Sequence, residues 1–202
     1  MQKPAGTDHP VHSLIRERWS PRAFSAKAVP PDVLRSLFEA ARWAPSSNNE
    51  QPWAFIVATH EDPASRDKML STLVQSNLAW ARHSPVLAIA VSKLAFARNG
   101  NPNRNAFYDT GGAVAYLTTE ATARGLFVHQ MVGFDPRQAI ELFSIPSGWE
   151  PIAAFVIGYP GDPDSLPDKH LRERELAPRN RKPLSEFVMS GSWGNPASFL
   201  GT

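Results

Sequence analysis

The chain has 202 residues, with 21 Lys and Arg against 19 Asp and Glu, and no cysteine. A net charge of +2 excludes the strong basic field that nucleic-acid binding needs, even with an isoelectric point near 9.1. The missing cysteines exclude disulfides, thiolate nucleophiles, iron–sulfur clusters and Cys-ligated zinc, so redox chemistry here must run through a borrowed group.

Hydrophobic residues at 42% and charged residues at 20% are ordinary for a globular protein. The length fits one domain, read as a core over about 8–188 and a tail over 189–202. Nineteen prolines, about twice the usual share, point to many broken turns. Residues 1–9 hold no apolar stretch, and the longest apolar runs, such as Val86–Val91, fall far short of the roughly 20 residues that span a bilayer. The expectation is a cytoplasmic protein with neither a membrane nor a nucleic-acid partner.

In chain order, Val11, Leu14, Ile15 and Arg18 fall at helical spacing behind Asp8, an N-cap residue type, which predicts a helix over about 10–18 ending at Ser20-Pro21. Pro30-Pro31-Asp32 opens a second helix with the apolar stripe Val33, Leu34, Leu37, Phe38 and Ala41, and Pro45 stops it. A polar loop then leads through Gln51-Pro52 into Trp53–Ala58, which reads as a strand buried on both faces. One helix over about 64–82 carries Met69, Leu70, Leu73, Val74 and Leu78, and Val86–Val91 is a second strand.

The Asn-rich segment 93–105 reads as a mobile excursion. A long helix over 106–124 holds Gly111-Gly112-Ala113, where each Gly costs about 1 kcal/mol relative to Ala and small residues favour close packing against another element. Gly125 is its C′ residue. Leu126–Val128 is a third strand, Asp135-Pro136 starts a helix through Phe143, and Ile152–Gly158 is a fourth strand. Beyond Pro160 the chain is charged and proline-rich as far as Arg181, and it ends in an extended arm holding Trp193 and Phe199 that buries little by itself. The fold class is α+β.

Common chemical motifs are missing: no GxGxxG follows a strand, and GxxxxGK[ST], HExxH and GxSxG do not occur. The six histidines are scattered, and nothing gathers a metal site or a Ser/His/Asp triad. What remains is cationic. Arg18-Trp19-Ser20-Pro21-Arg22 is an extended stretch whose alternate side chains, Arg18, Ser20 and Arg22, can converge on one anion. Arg179 and Arg181, followed by Lys182, form a second cationic group. Alone, each also reads as solvated surface. More specific is Pro45-Ser46-Ser47-Asn48-Asn49-Glu50-Gln51-Pro52-Trp53, small polar donors and acceptors held between two prolines ahead of a strand.

RxSxR, PSSNNEQPW and the late RNRKP, in this order within Leu14–Val188, together resemble the FMN-dependent nitroreductase family. The resemblance implies a three-layer α/β/α sandwich around a mainly antiparallel sheet, with an extended C-terminal arm. It also implies a domain-swapped type of homodimer with two FMN molecules in clefts at the subunit interface. Carried over by position, Arg18 and Ser20 would hold the phosphate and ribityl end, Arg22 would sit near the pyrimidine edge, and Arg179 and Arg181 would close on the phosphate. Pro45, Ser46, Ser47 and Asn49 match positions that reach the flavin bound mainly by the other subunit, and Gln51 joins them as a cofactor-binding position. Gln130-Met131-Val132-Gly133 matches the segment beside the flavin N5, with Met131 and Val132 in contact and the Gly133 N–H as donor. By itself that stretch reads as a strand-to-helix turn. Several relatives carry an acidic residue where Val132 stands, which leaves substrate and nicotinamide preference open. Gln75 and Asn77 stay unassigned, because the register of their helix is not set by the pattern.

No side-chain acid, base or nucleophile is required by the implied chemistry. A guanidinium near N1 and O2 stabilises the charge of a reduced flavin, and an N–H at N5 orients the ring. The implied activity is ping-pong hydride transfer from NADH or NADPH, through flavin N5, to a small nitroaromatic, quinone or similar electron-poor acceptor. Two alternatives stand beside it: other flavin chemistry of the same family, such as dehydrogenation, dehalogenation or an oxygen-dependent reaction, and an FMN-binding module without turnover.

Overall fold

Four apolar runs pair into one antiparallel sheet of order β1-β2-β4-β3, formed by β1 (Trp53–Thr59), β2 (Val86–Lys93), β3 (Phe127–Met131) and β4 (Trp149–Gly158). This is a computed structural model, and it describes residues 2–201. Around the sheet lie α1 (Ser13–Glu17), α2 (Pro31–Arg42), α3 (Pro63–Ser71), α4 (Gln75–Ala81), α5 (Ala106–Ala123), α6 (Pro136–Phe143) and α7 (Lys169–Leu176).

The two-residue strand period sorts β2 between two cores. Val86, Ala88 and Ala90 pack with Leu37 and Ala41 of α2 and with Val114 and Leu117 of α5. Leu87, Ile89 and Val91 pack on the other face with Met69, Trp80 and Phe134. The result is the three-layer α+β sandwich that the resemblance implied. Pairing between β2 and β4 slips by one residue after Ala90, so Pro151, which has no N–H to give to a ladder, sits beside a bulge. β1 departs from expectation: it is an edge strand with only β2 alongside, and Trp53–Val57 is partly exposed rather than buried on both faces.

Several other elements differ from the sequence reading. α1 begins at Ser13, capped by the His12 ring, which accepts from the Leu14 N–H, and not by Asp8. The helix expected over 64–82 is two helices. The Ser71 and Thr72 hydroxyls donate back to the carbonyls of Lys68 and Met69, closing α3, and Val74 is extended, which frees its N–H to reach the Gly133 carbonyl at 3.1 Å. The third strand runs on to Met131.

Segment 93–105 is not a free excursion. Ala95 and Pro102 form a bridge, the Phe96 N–H donates to Asn101 O at 2.9 Å, and the Asn103 N–H donates to Leu94 O at 2.7 Å, with the Asn103 side chain buried. α5 ends on Gly125 in the left-handed region, φ 72°, as expected of a C′ glycine. Gly111 and Gly112 meet no neighbour: a Cβ at either would touch nothing within 4 Å. The small face of α5 is therefore open within this chain.

The segment after α1 is tied to the end of β4. The Ser25 N–H donates to Tyr159 O, the Gly161 N–H donates to Ala23 O at 2.8 Å, and Phe24 bridges to Pro160. At Gly161 a Cβ would stand 2.6 Å from the Phe24 carbonyl carbon, a backbone atom that cannot step aside. We expect Gly161→Ala to lower stability by about 2–4 kcal/mol, read as a shifted urea midpoint. An unchanged midpoint would refute the close approach.

Candidate cofactor site

Because Gly161 and Ser25 fix the chain where it leaves α1, the Arg18–Arg22 stretch crosses the Gly158 end of the sheet. Trp19 is buried edge-on against Phe127 of β3, ring centroids 5.9 Å apart, which turns Arg18 and Ser20 the other way. Those two meet, Arg18 Nη1 donating to Ser20 Oγ at 3.2 Å, so the hydroxyl hydrogen stays available to an anion. Two further contacts hold the stretch from beneath. The His129 Nδ1–H of β3 donates to the Pro21 carbonyl at 2.7 Å, while the carboxylate of Glu175 on α7 accepts the Arg22 N–H at 2.8 Å and the Ala23 N–H at 3.1 Å.

Over this stretch lies a cavity of about 500 Å³ lined by six cationic side chains, Lys3, Arg18, Arg22, Arg174, Arg179 and Arg181. Arg18, Ser20, Arg22, Arg179 and Arg181 are thus brought together as expected. Among the described residues no carboxylate lines the cavity; Glu175 is only 1% exposed, beneath it. The electrostatics record the crowding. Burial lowers the pKa of Arg18, and Arg179 and Arg181 lower it further; burial and then Arg174 do the same to Arg22. Such a donor set, cationic, hydroxyl-bearing and without a neutralising acid, fits the phosphate of FMN.

Arg179 does more than line this space, since its Nη1 donates to the carbonyls of Lys3 at 2.8 Å and Arg16 at 3.0 Å. Lys3, Arg174, Glu175 and His129 were missed in the sequence. Each acts through partners far along the chain and carries no local pattern.

The Pro45–Gln51 loop lies at the other end of the sheet. It runs into Trp53, which pairs with Ser92, whereas Thr59 and Val86 sit level with Ile157 beside the cationic stretch. An eight-residue strand such as β2 is about 25 Å long, so Ser46, Ser47, Asn49 and Gln51 stand roughly that far from the chain's own cationic cavity. The loop is built stiffly. Asn48, Asn49 and Gln51 all have positive φ, between 51° and 54°, a concentration of strain typical of ligand-contacting turns. Buried Asp109 of α5 accepts the Ser47 N–H at 3.0 Å, Ser46 Oγ accepts the Gln51 N–H at 3.0 Å, and Glu50 accepts the Ala97 N–H of the neighbouring loop at 2.6 Å.

Met131, Val132 and Gly133 form a third group, outside the cationic cavity. Met131 is buried in the core and Val132 is 87% exposed. The Gly133 carbonyl accepts from the Val74 N–H at 3.1 Å and from Asn77 Nδ2 at 3.0 Å, which settles the register of α4. A Cβ at 133 would stand 2.6 Å from Asn77 Nδ2 and 2.8 Å from Val74 Cγ2, so a larger residue here would have to displace the Asn77 amide that donates to the Gly133 carbonyl. Among the described residues nothing accepts the Gly133 N–H. The stretch is a strand end followed by a turn, with one carbonyl doubly tied and one donor free.

Comparison with known proteins gives the family and the fold. The chain belongs to the nitroreductase family, whose model matches residues 15–159. A solved structure described as an oxidoreductase containing FMN is 32% identical, superposes with a TM-score of 0.88, and is covered over 96% of its length by 94% of this chain. An uncharacterized 15.4 kDa protein of Mycolicibacterium smegmatis is 40% identical over 51% of this chain and 71% of its own. A protein of Thermus thermophilus named NADH dehydrogenase is 26% identical over 86% of this chain and 92% of its own.

His129 supplies a test of how the cationic stretch is seated. Burial, with Arg22 and Arg174 nearby, pushes its pKa down to about 4, against the pull of the Pro21 carbonyl that favours its charged form. The unfolded chain therefore binds a proton that the fold refuses between pH about 6.5 and about 4. The His129 contribution is fully present above the upper limit and is lost as pH falls toward the lower. We expect the wild type to lose roughly 2–3 kcal/mol relative to His129→Gln between pH 7 and pH 4, measured by urea unfolding. Parallel pH profiles for the two proteins would show that the ring is not held neutral.

Proposed function

We propose that the protein is an FMN-dependent oxidoreductase that takes hydride from NADH or NADPH and delivers it to an electron-poor acceptor such as a nitroaromatic or a quinone. The observation that carries this reading is the cavity in which Arg18, Arg22, Arg179 and Arg181 converge with Ser20 and no opposing carboxylate. Arg18, Ser20, Arg179 and Arg181 would hold the phosphate end, with Arg22 toward the ring. FMN, when bound, would supply the hydride-accepting and hydride-donating chemistry, so that donor and acceptor use the site in turn.

The chain's part is to bind and orient. Gly133 offers a free backbone N–H, in the same peptide plane as the Val132 carbonyl, which accepts the Phe134 N–H at 3.0 Å. Exposed Val132 beside it leaves that position open to a planar substrate. No side chain in the assembly is asked to take up or release a proton. The NADH dehydrogenase name of the Thermus thermophilus relative and the FMN of the related solved structure support the choice of donor and cofactor.

The active form is a homodimer in this reading. Pro45–Gln51 lies too far from its own cationic cavity to share a ligand with it, so the loop meets a flavin held by a second copy. Two surfaces support such pairing. On α5, Phe107, Tyr108 and Tyr116 are exposed around open Gly111 and Gly112, and in the arm Trp193 is 93% exposed at the tip of a turn bridged between Met189 and Pro196. No helix of the structure is long and apolar enough to cross a membrane among the described residues, and we place the protein in the cytoplasm.

Purified protein should be yellow. Its flavin absorbance should bleach on anaerobic addition of NADH or NADPH and return on addition of a nitroaromatic or quinone. Arg18→Ala and Arg181→Ala should each weaken FMN binding by about 1.5–3 kcal/mol, measured by flavin fluorescence titration. A flavin that neither nicotinamide reduces would sink the proposed activity, and unchanged FMN affinity in both variants would sink the site.

A further inference from the structure

Lys3 lines the cationic cavity, although no motif marks it or the segment that carries it. The Ala5 N–H donates to Arg16 O at 2.7 Å, and Arg179 Nη1 bridges the carbonyls of Arg16 and Lys3, so this segment is tied to the end of α1 by the same guanidinium that lines the cavity. The Lys3 stem crosses the face of buried Trp19, its ammonium 5.0 Å from the ring centroid. One ammonium N–H is held by the Glu175 backbone carbonyl, and two remain.

The charge of Lys3 has no partner of opposite sign. Glu175 is the acid that acts on it, but its carboxylate oxygens are engaged by the Arg22 and Ala23 N–H groups, and among the described residues no carboxylate oxygen lies within 4 Å of Lys3 Nζ. The charged groups around it are Glu175, Arg179 and Arg22, and burial together with the two arginines lowers its pKa despite Glu175. Lys3 is half-buried, and an anion in the cavity would offset the repulsion from the two arginines.

We propose that Lys3 is a phosphate ligand of the cofactor site: it lines the cavity, and the 2–5 segment that carries it brings an ammonium to the same phosphate that Arg18 and Arg181 would hold. This rests on the FMN reading. It adds a consequence of its own, because Lys3 would distinguish flavins by their phosphate and contribute nothing to the isoalloxazine ring. FMN would gain from Lys3, whereas riboflavin, which has the same ring and ribityl chain but no phosphate, would not. Arg179 would then have two duties, holding the segment through Nη1 and facing the phosphate through its remaining donors.

The test is a titration of the full chain, wild type and Lys3→Ala, with FMN and with riboflavin, followed by flavin fluorescence. The expected result is about a tenfold loss of FMN affinity in Lys3→Ala, about 1.4 kcal/mol, with riboflavin affinity unchanged and Lys3→Arg recovering most of the FMN loss. FMN affinity within twofold of wild type in Lys3→Ala would overturn the inference while leaving the cofactor site standing. Equal losses for FMN and riboflavin would also overturn it, since they would mean that Lys3 only braces the segment. A wild-type chain that binds neither flavin would remove the FMN reading itself, and this inference with it.

Discussion

The arrangement on which the site depends is a concentration of like charge at one end of the sheet. Five guanidinium groups and an ammonium surround one cavity, and repulsion among them opposes the fold. Three devices keep the cluster in place. Glu175 is a single buried acid, placed beneath the cluster rather than in it, and it fastens backbone N–H groups instead of neutralising a side chain. His129 supports Pro21 as a neutral donor, adding no charge of its own. Arg179 is directed onto backbone carbonyls, which stabilise a cation without cancelling it. Each anchors geometry and leaves the cluster net positive, Glu175 offsetting only part of the field at Arg22 and Lys3.

The sheet sets this local cluster and the Pro45–Gln51 loop at opposite ends. Antiparallel pairing from Thr59 and Val86 at one end to Trp53 and Ser92 at the other separates the cationic stretch from the strained Pro45–Gln51 loop by the length of a strand. Both ends are tied down by hydrogen bonds, Glu175 to Arg22 and Ala23 at one and Asp109 to Ser47 at the other. The positive φ values at Asn48, Asn49 and Gln51, and the locks from Asp109 and Glu50, are hard to understand as the means of closing a surface turn. They make sense if the loop must present a fixed shape to something outside its own chain. The open face of α5 and the exposed arm are the surfaces on which the proposed pairing would draw.

Much of this was legible in the sequence, and the boundary has a physical reason. RxSxR and the paired late arginines were readable because alternation on an extended chain is a local property, and the structure brings those residues to one cavity. The four strands were readable because their apolar runs are short and well punctuated. The break between α3 and α4 was not, since Met69, Leu70, Leu73, Val74 and Leu78 suit one continuous helix. The decision was made by Gly133, some 60 residues away, whose carbonyl takes the Val74 N–H and the Asn77 amide. Glu175, His129 and Lys3 were hidden for the same reason: each does its work through contacts that only the folded chain creates. Burial of β1 was overestimated because an apolar run reports what a strand prefers, not whether it lies at an edge.

Gly133 joins the two themes. Its carbonyl is doubly tied, its missing side chain leaves room for Asn77 and Val74, and among the described residues its N–H is a donor with no protein acceptor. A free backbone donor beside exposed Val132 and an unneutralised cationic cavity beneath Arg18 have the same character: polar groups that the fold places and then declines to satisfy. Such groups lower stability in isolation, by desolvation in one case and by repulsion in the other. A ligand that supplied a phosphate to one and an acceptor atom to the other would relieve both at once, and its binding free energy would add directly to the stability of the fold. The fold therefore stops short of its own electrostatic optimum at the positions where a cofactor would complete it.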